Sequence, residues 1–172
     1  MSDHLFFYML EYHTHTLEPI YDSKSRILIL GSFPSPKSRE IGFYYGHKQN
    51  RFWLVMEQLF NCKLETIDDK IRFLHSHHIA LWDVIESCEI DGAKDSSIQN
   101  VKVNDIEMIL SKSEVHTIFT TGRKAYDLYN QYLKDKLKIE AIYLPSTSPL
   151  NARMKKDDLV KIYFELILPE LK

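Results

Sequence analysis

Two stretches of this sequence combine residue types that suit the binding of a ligand. In "ILILGSFPSPKSREIGFYYGHKQNRFW", residues 27–53, an apolar run ends abruptly at Gly31, Ser32, Phe33 and Pro34. Gly31 has no Cβ and Pro34 has a fixed φ, so this turn lets a ligand approach the backbone closely. An ordinary turn at the end of a strand has the same composition, and the second stretch decides between the two interpretations.

The second stretch, "LPSTSPLNARMKK" at residues 144–156, offers groups that bind phosphate. Its polar, small apolar and cationic members are Ser146, Thr147, Ser148, Pro149, Leu150, Asn151, Arg153, Lys155 and Lys156. Backbone N–H groups, hydroxyls and cations are common partners of phosphate oxygens. A solvated loop before a helix is the simpler interpretation, but cations at a helix start oppose its dipole. We therefore expect them to face an external anion, with Lys37 and Arg39 extending the same rim.

Short apolar segments predict the strands that position these loops. Residues 27–30, 79–84, 115–120 and 139–144 are rich in aliphatics and bounded by turn residues, which is typical of strands buried on both faces. Helical spacing of apolar residues occurs near residues 52–60, 71–74, 106–110, 126–133 and 159–166. The alternation predicts an α/β fold with a mostly parallel sheet, in which both loops lie at the carboxyl edge and form two walls of one cleft.

The composition is that of one ordinary soluble domain. The 172 residues contain no internal repeat and no linker, so we expect a single domain over residues 1–172, with residues 1–18 as an N-terminal lead-in. The sequence has no long apolar run of the kind that marks a secretion signal or a membrane span, so we expect no membrane partner. Two cysteines are too few for a disulfide framework and suit a cytoplasmic protein, which we expect to be a monomer. Because the net charge is −2, nucleic acid would need a local basic patch.

Five segments occur in a fixed order along the chain: "LGSFPSPKSR", "YYGHKQNRFW", "IALWDVIESC", "TTG" and "LPSTSPLNAR". Together they resemble the uracil-DNA glycosylase superfamily, and most closely its deoxyinosine (hypoxanthine) branch, from about Pro19 to the C terminus. The resemblance implies a three-layer αβα sandwich with a small, mostly parallel central sheet. It also implies an enzyme that flips a deaminated base out of DNA and hydrolyses the N-glycosidic bond, without metal or cofactor. Hypoxanthine is the favoured base, with uracil and xanthine as further candidates.

The same resemblance assigns catalysis to Asn50 and His47. Asn50 is the Asn of "NRFW", and its amide carbonyl would hold the attacking water beneath the anomeric carbon. Asn50 also precedes a helical pattern and Asn is a favoured N-cap, so a capping role stays open. His47 would polarise the departing base, although Lys48 follows it where the family commonly has Pro. Phe33 replaces the polar catalytic group of related branches and cannot orient water.

Base and DNA contacts also follow from the resemblance. Tyr45 stands at the aromatic position that stacks on the flipped base, a contact worth about 1 to 3 kcal/mol. Tyr44 either shares that role or packs beneath the loop. Leu150 would fill the gap left in the base stack, and Arg123 would reach a phosphate. The turn that approaches the base comprises Gly31, Ser32, Phe33 and Pro34.

Several tempting features are interpreted as structural, and two other functions stay open. His75, His77 and His78 end a helical pattern without accompanying carboxylates, so we predict no metal site. Asp83 and Glu86 resemble a glycosidase carboxylate pair, but their segment is typical of a strand with its end cap. A non-catalytic module for damaged or single-stranded DNA would use the same cleft. A small-ligand or nucleotide-binding protein is the remaining alternative, although no G-x-G-x-x-G follows the first strand.

Overall fold

A four-stranded parallel sheet positions the loops in the computed structural model, which describes residues 10–172. The strands of this part of the chain are β1 (Glu11–Thr14), β2 (Ile27–Gly31), β3 (Ile79–Asp83), β4 (Ile85–Ile90), β5 (Gln99–Val103), β6 (Thr117–Thr121) and β7 (Ala141–Leu144). The parallel sheet has the order β3-β2-β6-β7. Every residue of β2 and β3 is buried, so both faces of the sheet are covered.

The helices begin and end at local sequence signals. They are α1 (Pro36–Ile41), α2 (Phe52–Phe60), α3 (Ile67–Ser76), α4 (Ile106–Ser111), α5 (Arg123–Tyr132), α6 (Lys134–Leu137) and α7 (Lys156–Ile167). Ser35 caps α1 by accepting from the Ser38 N–H, and Thr66 forms a capping box with Asp69 at α3. None of the helices within residues 10–172 is long and apolar enough to cross a membrane.

The predicted α/β sandwich is confirmed. Each predicted strand overlaps an observed one, and each helical pattern overlaps an observed helix. The pairing register places four strand ends side by side, with Gly31 opposite Asp83 and Thr121 opposite Leu144. Because all four strands are parallel, the loops that follow them leave from one edge of the sheet.

A second sheet was not predicted. It is antiparallel and has the order β1-β4-β5. Its strand β4 follows β3 with only Val84 between them. The Val84 and Ile85 N–H groups donate to the carbonyls of Gly31 and Ser32, at 2.8 and 3.1 Å, so β4 starts beside the end of β2. The buried Asn104 side chain joins the two sheets by donating to the carbonyls of Asp83 and Ile85. These bonds fix the second sheet against the carboxyl edge.

The predicted N-terminal lead-in contributes a strand to this second sheet. Residues 1–9 of the lead-in lie outside the described part of the chain. Beyond them, β1 pairs with β4 in the register Glu11 to Ile90 and Thr14 to Ser87. The His15 N–H then donates to the Glu86 carbonyl at 2.6 Å, which holds the His15 side chain close to the end of β3.

Candidate active site

A cavity of about 320 Å³ opens at the carboxyl edge of the parallel sheet. Two of its walls are the first loop (residues 31–35) and the second loop (residues 145–155), which the sequence predicted. The third wall, which was not predicted, is the connection between β4 and β5 and contributes Ile90, Gly92, Ala93 and Asp95. The volume of the cavity lies at the lower end of the range for small-molecule sites, about 300 to 1,000 Å³.

The first loop is held in the wall by one polar and one aromatic contact. Ser32 Oγ donates to Asp95 Oδ1 at 3.1 Å and thereby joins the first wall to the third. Phe33 is buried, and the Arg39 guanidinium lies 5.5 Å from its ring centroid. Ser32, Phe33 and Pro34 all line the cavity. The Phe33 side chain gives this wall an apolar surface.

The Asp95 carboxyl lies in crowded surroundings. The residue as a whole is solvent-exposed, but protein atoms surround its carboxyl group at the cavity wall. This desolvation, together with the negative charge of Asp83, raises the pKa of Asp95, while the hydrogen bond from Ser32 and the charge of Lys124 act in the opposite direction.

Tyr45 is fixed as a flat surface in the cavity. It adopts a left-handed φ of 53° and stacks on Phe52, with ring centroids 4.0 Å apart and planes 13° apart. Its hydroxyl lies 3.3 Å from Thr121 Oγ1, whose own proton is donated to the Leu30 carbonyl. Burial, and then the charge of Asp83, raise the pKa of Tyr45, so the phenol stays protonated. Phe52 thus supports one face of the Tyr45 ring, and Tyr45 lines the cavity.

Tyr44 and His47 have different surroundings from Tyr45. Tyr44 borders the cavity but is buried, and its hydroxyl donates to the Glu18 carbonyl at 2.7 Å. The Tyr44 carbonyl accepts from Trp53 Nε1 at 3.0 Å, so both of its polar groups hold the fold. His47 is not among the residues that line the cavity, and its Nδ1 accepts locally from the Gln49 N–H.

Asn50 joins the two predicted loops through one oxygen. Its Oδ1 accepts from the Phe52 N–H at 2.9 Å, which satisfies a free donor at the start of α2, and from Thr147 Oγ1 at 2.8 Å. The N-cap position of α2 is occupied by Arg51, which makes no side-chain capping bond, so Asn50 supports the helix start from one residue earlier and also lies in the cavity wall. The carbonyl that was expected to hold water is already engaged twice, whereas Nδ2 has no hydrogen-bond partner among residues 10–172.

Arg51 fixes the second loop by donating to backbone carbonyls. Its side chain donates to Thr147 O at 3.3 Å, to Ser148 O at 2.8 Å, to Asn151 O at 3.0 Å and to Met154 O. The Arg51 backbone N–H also donates to Thr147 O, at 3.1 Å. The planar guanidinium thus gathers four carbonyls of one loop, a geometry that the single ammonium group of lysine does not offer.

The remaining second-loop contacts leave its tip free. The Asn151 Nδ2 donates to the Ser146 carbonyl at 2.9 Å, and the buried Tyr163 hydroxyl donates to the Pro145 carbonyl at 2.6 Å. Leu150 is 72% exposed at the cavity rim.

Three cations lie at the end of the second loop and the start of α7. Arg153, Lys155 and Lys156 are exposed and form no ion pair within residues 10–172. Their charge is therefore available to an anion.

The cavity floor holds a buried pair of residues. His15 Nε2 lies 2.7 Å from Asp83 Oδ2, and their side chains are only 3% and 6% exposed. A Cβ on Gly31 would lie 2.5 Å from Asp83 Oδ1, so only glycine fits at that position. The interpretation of Asp83 as a purely structural strand end was incomplete, because Asp83 lines the cavity. Glu86, the other carboxylate interpreted as structural, lies in β4 and pairs with Lys102.

A cavity at the carboxyl edge, with an Asn between a Gly-Ser-Phe-Pro turn and a Pro-Ser-Thr-Ser loop, has a counterpart among known families. A sequence model of the uracil DNA glycosylase superfamily matches residues 18–172. The chain belongs to that superfamily. The motifs quoted above had indicated the same family, and this resemblance is confirmed.

Individual relatives show which members of the superfamily this chain resembles. A protein of Methanosarcina acetivorans named hypoxanthine DNA glycosylase is 33% identical over 144 residues, covering 80% of this chain and 88% of that protein. A protein of the same name from Methanosarcina barkeri is 28% identical over 141 residues, with the same coverage of both chains. A solution NMR structure of a candidate uracil DNA glycosylase from M. acetivorans superposes with a TM-score of 0.75. That structure is 28% identical in sequence, and the match covers 91% of this chain and 99% of that one.

Four residues of the site were missed, and their detectability differs. Asp83 directly follows a predicted strand at the edge where ligands bind, so its position alone could have indicated a role. His15 reaches Asp83 from 68 residues away, and no local pattern predicts that contact. Arg51 bonds only to backbone carbonyls, which leave no trace in residue type. Asp95 depends on a connection within a sheet that was not predicted.

We predict that Arg51→Lys loosens the second loop although it retains the charge. Lysine cannot reach four carbonyls at once, and each buried carbonyl left unpaired costs about 1 to 3 kcal/mol. The melting temperature should fall, and amide hydrogen exchange over residues 145–155 should quicken. Arg72→Lys is the matched control, because Arg72 is exposed and its bond to Asp69 lies on the surface of α3. Wild-type exchange in Arg51→Lys would contradict the assignment.

Proposed function

We propose that this chain is a DNA glycosylase that flips a deaminated base into the cavity and hydrolyses its N-glycosidic bond, leaving an abasic site. Hypoxanthine is the favoured base, in keeping with the names of the two Methanosarcina relatives. The observation that carries the proposal is the placement of Asn50. It lines the same cavity as the stacked Tyr45 ring, and it accepts a hydrogen bond from Thr147 of the second loop, which ends at the exposed cations.

Different parts of the cavity would contact different parts of an extruded nucleotide. The exposed cations of the second loop and its backbone N–H groups would bind the flanking phosphates. Leu150, exposed at the rim, would enter the gap left in the base stack. Phe52 holds the Tyr45 ring in a fixed orientation, so the flipped base would meet a preorganised stacking surface.

Hydrolysis needs a water molecule at the anomeric carbon as the base departs. The C1′–N bond breaks with its electron pair going to the base, and the water oxygen forms the new bond to C1′. The proton that this oxygen then releases to solvent is balanced by the proton that the departed base takes up. When the sugar has oxocarbenium character, the water needs placement more than deprotonation. We assign that placement to Asn50 through Nδ2, since Oδ1 is occupied by Phe52 N–H and Thr147. An N–H bonded to one lone pair of the water leaves the other lone pair for attack.

Duplexes carrying inosine, uracil, xanthine or only normal bases, incubated with the protein and then treated with alkali, test the activity. We predict strand breaks at inosine and none at normal bases, because alkali cleaves abasic sites. Binding to the inosine duplex without any break would instead favour the non-catalytic damage-binding module and contradict the proposed function.

The role of Asn50 is tested most sharply by Asn50→Asp. Aspartate retains both acceptor bonds of Oδ1, replaces the Nδ2 donor with an acceptor oxygen and adds a negative charge. We expect a melting temperature close to wild type and a single-turnover rate of base release at least about a hundredfold lower. Binding to abasic DNA, measured on the same variant, reports any effect of the added charge on affinity. Base release within a few fold of wild type would leave Asn50 with capping alone.

The phosphate contacts are tested by replacing Arg153, Lys155 and Lys156 with Ala. The salt dependence of DNA binding should flatten by about one unit of slope for each cation that no longer meets a phosphate. Lys24, Lys112 and Lys136 provide a matched triple-Ala control. They are exposed and precede strands β2, β6 and β7, so they lie toward the opposite edge of the sheet. Equal flattening in both triple variants would show a general charge effect and contradict the assignment.

A further inference from the structure

The side chains that line the cavity bring negative charge to it and no positive charge. Two carboxyl groups border the cavity, those of Asp83 and Asp95, whereas no lysine, arginine or histidine of residues 10–172 is among its lining residues. The proposed reaction sends the electron pair of the broken bond to the base, so a base that left without a proton would be an anion. Carboxylates at the cavity wall repel such an anion, and the repulsion strengthens where water is scarce. The cavity therefore suits a base that takes up a proton as it leaves.

Three of the ionisable groups at the cavity are poorly suited to deliver that proton. The Leu17 N–H donates to His15 Nδ1, so the ring proton is on Nε2, which donates to Asp83 Oδ2 at 2.7 Å and holds that group as a carboxylate. The Tyr44 hydroxyl donates to a backbone carbonyl, and the Tyr45 hydroxyl lies 3.3 Å from a threonine hydroxyl. Burial raises the pKa of both phenols, so neither releases its proton readily.

Asp95 has one carboxyl oxygen bonded and the other free. Ser32 Oγ donates to Oδ1 at 3.1 Å, whereas Oδ2 has no hydrogen-bond partner among residues 10–172. The titratable or polar groups that face this carboxyl are Ser32 of the first loop, Asp83 at the end of β3, Cys88 of β4 and Lys124 of α5. Desolvation outweighs the Ser32 hydrogen bond and the Lys124 charge, so the pKa of Asp95 is raised and its protonated form is favoured.

Resting on the proposed function, we propose that Asp95 is a catalytic residue that donates a proton to a purine ring nitrogen, N3 or N7, as the glycosidic bond breaks. The O–H bond of Asp95 breaks and the new N–H bond forms, while the electron pair of the C1′–N9 bond stays on N9. The base therefore leaves as a neutral molecule. The Asp95 carboxylate then takes a proton from solvent, and the water that attacks C1′ releases one to solvent. Purines with a basic ring nitrogen are thereby favoured over uracil, which has none.

The pH dependence of base release and the variant Asp95→Asn test the inference together. Because the acid acts in its protonated form, wild-type single-turnover release from inosine DNA should be fastest at low pH and fall about tenfold per pH unit above the pKa of Asp95. Asparagine still accepts from Ser32 but cannot transfer a proton. At about pH 6 we expect Asp95→Asn to be at least about a hundredfold slower than wild type, and its rate to be nearly constant from about pH 5 to 8.

Asp91→Asn is the matched control, since it removes a carboxylate from the same connection between β4 and β5. Asp91 pairs with Lys94 at 3.4 Å and is not among the residues that line the cavity. We expect this variant to keep the rate and the pH profile of wild type. A structural role for Asp95 would lower the melting temperature of Asp95→Asn but leave the shape of its pH profile unchanged.

The outcomes distinguish this inference from the proposed function. If wild type releases no base from inosine DNA, the proposed function fails. If wild type is active and Asp95→Asn either stays within about threefold of its rate or keeps its pH profile, the inference is overturned while the function stands. Should Asp95→Asn not fold, Ser32→Ala decides. Loss of the hydrogen bond that favours the charged carboxyl should move the midpoint of the profile to higher pH, and an unmoved midpoint overturns the inference.

Discussion

The guanidinium group of Arg51 is the contact on which the site depends. By donating to carbonyls along the second loop, it fixes residues 147–154 against the start of α2. The Thr147 hydroxyl is thereby placed to donate to Asn50 Oδ1, and the same oxygen accepts from the Phe52 N–H at the start of α2. Phe52 in turn supports the Tyr45 ring. One cation, bonded to backbone groups, therefore links the Asn50 amide, the Tyr45 ring and the second loop.

The elements that could be predicted from the sequence are those with a local pattern. Fully apolar runs such as residues 27–30 marked the buried parallel strands, and spaced apolar residues marked helices such as α2. The antiparallel sheet escaped because β5 is half exposed and carries neither a continuous run nor a clean alternation of apolar residues. Its register with β4 is also irregular, which removes the alternation on which sequence patterns depend.

The sequence predicted those site residues whose type or motif implies chemistry. It missed the residues that belong to the site only through contacts between distant parts of the chain. The second loop was predicted from its residue types and its position after a strand, and Asn50 and Tyr45 from the resemblance to the family. The structure brings Asn50, Tyr45 and part of the second loop to one cavity. His15 and Asp83 meet across 68 residues, and only the pairing of β1 with β4 brings them together. The expected use of the Asn50 carbonyl differs from the structure for a related reason: its partner, Thr147, lies 97 residues away. Site residues here also hold the fold, so loss of activity must be separated from loss of stability.

The most direct measurement is a crystal structure of the protein with a duplex containing 2′-fluoro-deoxyinosine, whose electron-withdrawing fluorine slows glycosidic cleavage. The account predicts the hypoxanthine ring in the cavity, stacked on Tyr45, and the flanking phosphates on the second loop. A base that stays in the helix, or a duplex bound away from the carboxyl edge of the parallel sheet, would contradict it.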